Sequence, residues 1–445
     1  MRTPNFDLEM FRQRRSRLAQ KMNHTGALIA PAAPEYIRNN DVHHPYRQDS
    51  NMYYLTGFEE PESVLLFRPG KIPETVLFVR NKDKERETWD GFRYGPEGAK
   101  EQFNADQTFL IEDFEKECSH LLQDVEKVYY TLFHDLEFDE RISRVILNVR
   151  DKRRRSGRGL LSIYDAYPLI GEMRLFKTPE EIELLREACL QTSLAHNEIM
   201  KYIKPGMNER EIHGRFIYEI MKRGAAREGY GTIVAGGFHA TTLHYVYNDQ
   251  KLKDGDLLLI DAGGEFQYYT GDVTRTYPVN GRFTPPQKRL YQKVLDLQKK
   301  LFEQVQPGLL FKHLQESAIS GLVDIMIDEG LLKGAKSEII KEGRYRIYYP
   351  HGVSHWLGMD VHDSGMIEMG GISRPLEQGM CFTIEPGFYI RHDDFQAPAE
   401  LRGIGIRIED NVVVTEKGCE NLTQLAVKEV DQLESIIGSG CSSTH

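Results

Sequence analysis

The sequence predicts an α/β (α+β) chain with a mixed N-terminal lobe and a C-terminal half built as two helices, then strands, and then the same order again. Three observations support this. Thr178-Pro179-Glu180-Glu181 and Asn208 with Glu211 are capping boxes that start two successive helices. Short apolar runs that end on a carboxylate, Leu257–Asp261 and Met380–Glu385, read as buried strands. The helix-helix-strand-strand order recurs without residue-level repetition.

Along the N-terminal lobe, residues 8–22 fit an amphipathic helix. Apolar segments bounded by turn residues follow at 27–30, 52–58, 63–67, 75–79 and 128–132 and are read as strands, with helices at 114–122 and 139–150. No Gly-rich phosphate loop is present. A boundary falls near 171–177, giving an N-terminal non-catalytic domain over 1–175 and a second domain over 176–437. The small polar residues 438–445 are expected to form a disordered tail. In the second domain, the first helix ends at Pro205-Gly206 and the second near Gly224. Strands are expected at 231–235 and at the Asp261 and Asp272 segments, helices at 286–305 and 312–329, and strands at 379–385 and 403–415.

Composition narrows the function. The 445 residues carry 57 Lys plus Arg against 67 Asp plus Glu, a net charge of −10, which argues against nucleic acid as a partner. The basic cluster Lys152–Arg155 reads as a solvated helix end. No stretch approaches the ~20 apolar residues of a membrane span, and the first fifteen residues lack an apolar signal core. The five cysteines are scattered and form no CxxC pair. A reducing, cytoplasmic setting without membrane attachment is expected.

Asp261 ends a buried strand, and Asp272 starts the next extended segment. Buried carboxylates need a positive partner, because an unpaired charge in a low dielectric costs several kcal/mol or more. A metal ion and a pair of solvated hairpin aspartates both fit this stretch alone. Glu385 repeats the strand–acid–turn pattern. In Gly403–Asp410, strict alternation puts Ile404, Ile406 and Ile408 on one face and Gly405, Arg407 and Glu409 on the other. His351, His355 and His362 fall within twelve residues, in a pattern that is not HExxH; His244 joins them only if the fold allows. Four carboxylates with at least one imidazole form a hard, oxygen-rich set suited to Mn²⁺ and able to take Co²⁺, Fe²⁺ or Zn²⁺. Four negative charges balance two divalent ions, and hydrolysis is the chemistry such a pair supports.

The segments DAGGEFQYYTGDVTRTYPV, HGVSHWLGMDVHD, TIEPGFY and GIGIRIEDNVVVT resemble the pita-bread metallopeptidases. Residues 46–62 resemble the non-catalytic lobe of the bacterial X-Pro aminopeptidase (aminopeptidase P) branch. The resemblance implies a pita-bread catalytic domain with a pseudo-twofold layout over 176–437. Two divalent metal ions per subunit, Mn²⁺ foremost, would be held by Asp261, Asp272, His355, Glu385 and Glu409. Glu385 would be the general base towards a metal-bridged hydroxide. His362 and His244 would contact the substrate carbonyl, His351 would line the pocket, and Arg407 and Tyr389 would support the metal shell. Asp41, Tyr230 and Trp89 would contact the peptide.

The activity so implied is hydrolysis of the N-terminal X-Pro bond of peptides by a homodimer or homotetramer. Ser354 and Trp356 in HGVSHWLG resemble aminopeptidase P, whereas prolidases more often show HGLGH. Prolidase, confined to X-Pro dipeptides, is the alternative. An inactive peptide-binding or scaffold protein is the alternative from another class, since fold alone does not fix activity.

Overall fold

The computed structural model describes residues 8–440, so residues 441–445 of the expected tail lie outside the described residues. The chain divides into two compact units, Met1–Met173 and Arg174–His445.

The first unit is a six-stranded mixed sheet. Its order is Gln107–Leu110, Thr75–Val79, Val64–Phe67, Ala27–Pro31, Lys127–Tyr129 and Ser162–Tyr164. The inner pairs are antiparallel and both outer edges add parallel strands. Val76, Phe78, Phe114 and Val145 join one buried cluster on the sheet, so the apolar alternation of the strands packs against helices Phe114–Leu121 and Leu136–Ser156.

One element departs from the sequence reading. Residues 52–58 were expected to be a strand, yet Ser50–Thr56 is a helix. Asp49 caps it by accepting from the Asn51 and Met52 amides, and Gly57 closes it in the left-handed conformation at φ 70°. Met52, Tyr53, Tyr54 and Leu55 are all buried, so no polar face marks the helical period.

The second unit places the site. Helices Pro179–Ile199 and Glu209–Lys222 begin at the two capping boxes, both of which form. Ile212, Phe216 and Ile220 pack in one core with Leu258 and Ile260. Strands Ile233–Gly236, Leu257–Ala262 and Val273–Pro278 form an antiparallel sheet in that order. Helices Pro285–Gln304 and Phe311–Asp328 repeat the layout. Strands Cys381–Ile384, Asp410–Val414 and Cys419–Asn421 then form a second three-stranded sheet, and Gly387–Tyr389 pairs with Gly405–Arg407.

Residues 403–415, read as one strand, are therefore two. The break falls at Ile408-Glu409, where the chain leaves the Gly387–Tyr389 pairing and joins the Cys381–Ile384 sheet. Glu409 sits at this switch, and its amide donates to the Thr274 carbonyl. Beyond the last helix, Val430–Ile436, the Gly438 and Gly440 amides donate to the carbonyls of Met200 and Lys201, so these residues of the expected tail are held by backbone hydrogen bonds.

Candidate metal centre and active site

The antiparallel register Asp261↔Thr274 and Ala262↔Val273 brings the Asp261 end of one strand to the Asp272 end of the next. The turns between them are tight. A Cβ on Gly263 would lie 1.7 Å from the Gly271 carbonyl oxygen, and one on Gly271 would lie 2.6 Å from Thr192 Oγ1. Only glycine permits that approach. Asp272 is fixed through its own peptide: its amide donates to Asn411 Oδ1 at 2.9 Å, and Asn411 Nδ2 donates to its carbonyl at 2.6 Å.

Five expected ligands converge. His355 Nε2 lies 3.3 Å from Asp272 Oδ2, 3.6 Å from Glu385 Oε1 and 4.0 Å from Glu409 Oε1. One ligand atom each from Asp272, His355 and Glu409 can lie within 4.8 Å of the others. The Tyr230 hydroxyl bridges the set, 2.7 Å from Asp261 Oδ1 and 2.6 Å from Asp272 Oδ1. A phenol has one proton and serves one carboxylate at a time, so Tyr230 alone does not neutralise the aspartate pair.

Burial pushes the Glu385 carboxyl up to about 7, with Asp272 and Asp261 adding to the rise. Burial likewise raises Asp261 and Glu409, helped by their carboxylate neighbours. Asp272 runs the other way: burial raises it, but the hydrogen bond and charge of His355, the Tyr230 hydrogen bond and the Arg407 charge together outweigh that and hold it low. His355 is raised to about 9, because the Asp272 hydrogen bond and the Glu385 and Asp272 charges overcome its burial.

The donor set fits divalent ions. His355 Nδ1 faces its acceptor, the Trp356 carbonyl oxygen, at 3.1 Å, which turns Nε2 to the carboxylates as a metal-binding lone pair when the ring is neutral. Thr274 Oγ1 donates to Glu409 Oε2 at 2.6 Å, and Thr383 Oγ1 donates to Glu385 Oε1 at 3.5 Å.

Arg407 supports the centre from the rim of its sheet. It donates to Asp261 Oδ2 at 2.5 Å, to Thr274 Oγ1 at 2.9 Å and to the Tyr389 hydroxyl at 2.9 Å. Burial lowers the His351 pKa to about 3, with the Arg407 charge adding to it, so the ring is neutral near pH 7. The hydrogen bonds then run in one direction. Tyr389 donates to His351 Nε2 at 2.8 Å, and His351 Nδ1 donates to the Gly352 carbonyl at 2.7 Å.

All five expected ligands open into a cavity of about 560 Å³ lined also by Tyr230, His244, His351, His362 and Arg407. Tyr389 stands behind His351. The His362 ring lies 4.5 Å from the His355 ring, and burial together with His355 lowers its pKa. Leu243, Val246, Val361 and Ile233 add apolar walls. Asp41 and Trp89 belong to the first unit and are exposed there, Trp89 at 82%.

Thr274, Thr383 and Asn411 were not singled out from the sequence. Thr274 was within reach of the alternation rule, because it follows Asp272 by two residues on an extended segment. Asn411 grips Asp272 across the fold and leaves no local signal.

Residues 183–416 match the model of metallopeptidase family M24, and residues 11–129 match that of the aminopeptidase P N-terminal domain. The chain belongs to metallopeptidase family M24. It is 39% identical to the Xaa-Pro aminopeptidase of Haemophilus influenzae over 96% of this chain and 97% of that protein. Among solved structures, it is similar to aminopeptidase PepP of Pseudomonas aeruginosa at a TM-score of 0.94, with 42% identity and 98% of each chain covered. It also resembles zinc-substituted aminopeptidase P of Escherichia coli in complex with product, at a TM-score of 0.92 and 38% identity, covering 97% of this chain and 98% of that one. These likenesses support the pita-bread fold expected for the second unit and make this M24 chain a hydrolase of the metallo-aminopeptidase type.

Proposed function

We propose that this metallopeptidase releases the N-terminal residue from peptides with proline in second position, using two divalent ions held by Asp261, Asp272, His355, Glu385 and Glu409. The observation that carries the reading is the gathering of three carboxylates, Asp272, Glu385 and Glu409, around His355 Nε2, with Asp261 joined to Asp272 through the Tyr230 hydroxyl, all lining one cavity. Oxygen-rich donors with one nitrogen favour Mn²⁺. When bound, the ions would supply Lewis acidity to the scissile carbonyl and to an attacking water.

The chain's own groups do the rest. Glu385 lines the cavity beside the other candidate ligands and is the carboxylate assigned to take a proton there. It accepts the proton of the attacking water and delivers it to the proline nitrogen, a poor leaving group until protonated. His362 and His244 line the same cavity and are placed to donate to the substrate carbonyl. The neutral His351, held by Tyr389, keeps a second charge away from Glu385. Tyr230 orients the aspartate pair.

Homodimer or homotetramer assembly in the cytoplasm belongs to the same reading, and none of the helices among the described residues is long and apolar enough to cross a membrane. Trp89, so largely exposed, is the kind of side chain that an interface buries as an anchor. Light scattering tests the assembly. Release of the first residue from Arg-Pro-Pro, measured with Mn²⁺ after chelation, tests the activity.

A further inference from the structure

The segment that carries His362 is tied down by a buried ion group to which the proposed reaction gives no part. Residues 357–367 contain no helix or strand, so no regular hydrogen-bond ladder aims the side chains they present. Val361 and His362 line the cavity, whereas the side chain of the next residue, Asp363, is buried. Arg174 Nη2 donates to Asp363 Oδ1 and, at 2.6 Å, to Asp360 Oδ2. Lys177 Nζ donates to Asp363 Oδ2 at 2.9 Å. The side chains of Arg174, Lys177 and Asp363 are no more than 3% exposed.

The group is built for one geometry. The Asp363 amide donates to the Trp356 carbonyl at 2.9 Å, and the Leu357 amide donates to the Cys381 carbonyl at 3.0 Å, which closes the loop against strand Cys381–Ile384. A Cβ on Gly358 would lie 2.1 Å from Asp363 Oδ2, so only glycine there admits the carboxylate. Lys177 is fixed in turn, its amide donating to the Gly379 carbonyl at 3.0 Å. Buried ion groups stabilise a fold little compared with packed apolar side chains, because desolvation offsets most of what pairing returns. Two cations on the two oxygens of one carboxylate do fix its direction, and with it the backbone on which the preceding residue stands.

We infer that Asp363 is a positioning residue for His362: clamped by Arg174 and Lys177, it holds the loop so that the His362 ring stands against His355 and faces the substrate carbonyl. The inference rests on the role given to His362 in the X-Pro aminopeptidase reading. The His355 and His362 rings meet edge to face, with centroids 4.5 Å apart. A group that donates to a reacting carbonyl must be held within a fraction of an ångström, and a loop meets that demand only when its supports are rigid. Asp363 supplies the support from the side of the loop that faces away from the cavity.

The test uses the full Mn²⁺-loaded protein as wild type, Asp363→Asn, His362→Ala and the double variant, acting on Arg-Pro-Pro, with metal content and a crystal structure obtained for each. Asparagine keeps the shape of the side chain and removes its charge. Asp363→Asn should lower kcat about 10- to 100-fold, as a displaced catalytic group does, with KM and metal content little changed and the His362 ring moved off His355. In the His362→Ala background the same substitution should cost nothing further, since residues that act through one another are not additive. Where His362→Ala itself lowers kcat, an unchanged kcat in Asp363→Asn, a loss of metal, equal falls in both backgrounds or an unmoved ring each overturn the proposal. If Asp363→Asn does not fold, Lys177→Gln, which leaves Arg174 on the carboxylate, goes through the same cycle and is judged by the same results. If wild type does not cut Arg-Pro-Pro, or His362→Ala keeps full kcat, it is the aminopeptidase reading of His362 that fails. The crystal structure then judges the tether alone: a displaced ring supports it, and an unmoved ring overturns it.

Discussion

His355 Nε2 lies 3.3 Å from Asp272 Oδ2, joining the one histidine of the proposed ligand set to the residue that precedes strand Val273–Pro278. Removing the carboxylate leaves His355 and Glu409 without the group between them. Asp272→Ala is therefore expected to lose at least one metal per subunit and nearly all activity while the protein stays folded. Elemental analysis with circular dichroism checks this; full metal occupancy in the folded variant contradicts it.

Glu385→Gln keeps the shape of the side chain and one ligating oxygen but removes the proton acceptor. With metal loading verified, kcat should fall by ~10²-fold or more and KM should change little. Near-normal kcat in the loaded variant would make Glu385 a ligand alone and move the search for the base to His362 or His244.

Asp410 is wholly buried between two cations, 2.7 Å from Arg275 Nη2 and 2.6 Å from Lys428 Nζ. Arg275 also donates to the carbonyls of Thr274 and Glu409, so the pair ties the two ligand-bearing strands together from behind. Asp410→Ala strands both cations and should destabilise the protein by ~3–5 kcal/mol, read as a lower urea midpoint. A midpoint within experimental error of wild type would show that the ion group contributes no net stability.

His196 is buried between the Tyr277 hydroxyl at 3.2 Å and the Ala262 carbonyl at 3.1 Å. Burial lowers its pKa from 6.5 to about 3. The folded state therefore keeps this ring neutral where the unfolded chain binds a proton. Its contribution is fully present above about 6.5 and is lost as pH falls towards about 3. The Tm advantage of wild type over His196→Leu should shrink as pH drops through that window. A pH-independent difference would show that the ring titrates alike in the folded and unfolded states.

Much of the second unit is legible in the sequence because its signals are local. The Thr178 and Asn208 boxes fix two helix starts within the span of one turn, and the apolar run before Asp261 is a strand buried at all six positions. The four acidic candidates stand out because each lies at or beside the end of a strand, whereas His355 lies in a loop. What was misread depends on distant partners. Residues 50–56 form a helix that is buried at every position but Asn51, which erases the period. Glu409 interrupts an apparently continuous alternation because the chain changes sheets there, a tertiary event with no trace in residues 403–415 themselves. Asn411 grips Asp272 from across the fold, whereas Thr274 and Thr383 each stand two residues from an acidic candidate, within reach of the strand period although not singled out by it.

The central claim, a metal-dependent aminopeptidase that requires proline in second position, is tested most directly by one turnover measurement. The protein is stripped with chelator, reloaded with Mn²⁺, and given Arg-Pro-Pro and Gly-Pro in parallel. The expected result is no activity before reloading, then release of arginine from Arg-Pro-Pro well ahead of any cleavage of Gly-Pro. Cleavage of Gly-Pro alone would make the chain a prolidase, and failure to cut either peptide with metal bound would contradict the account.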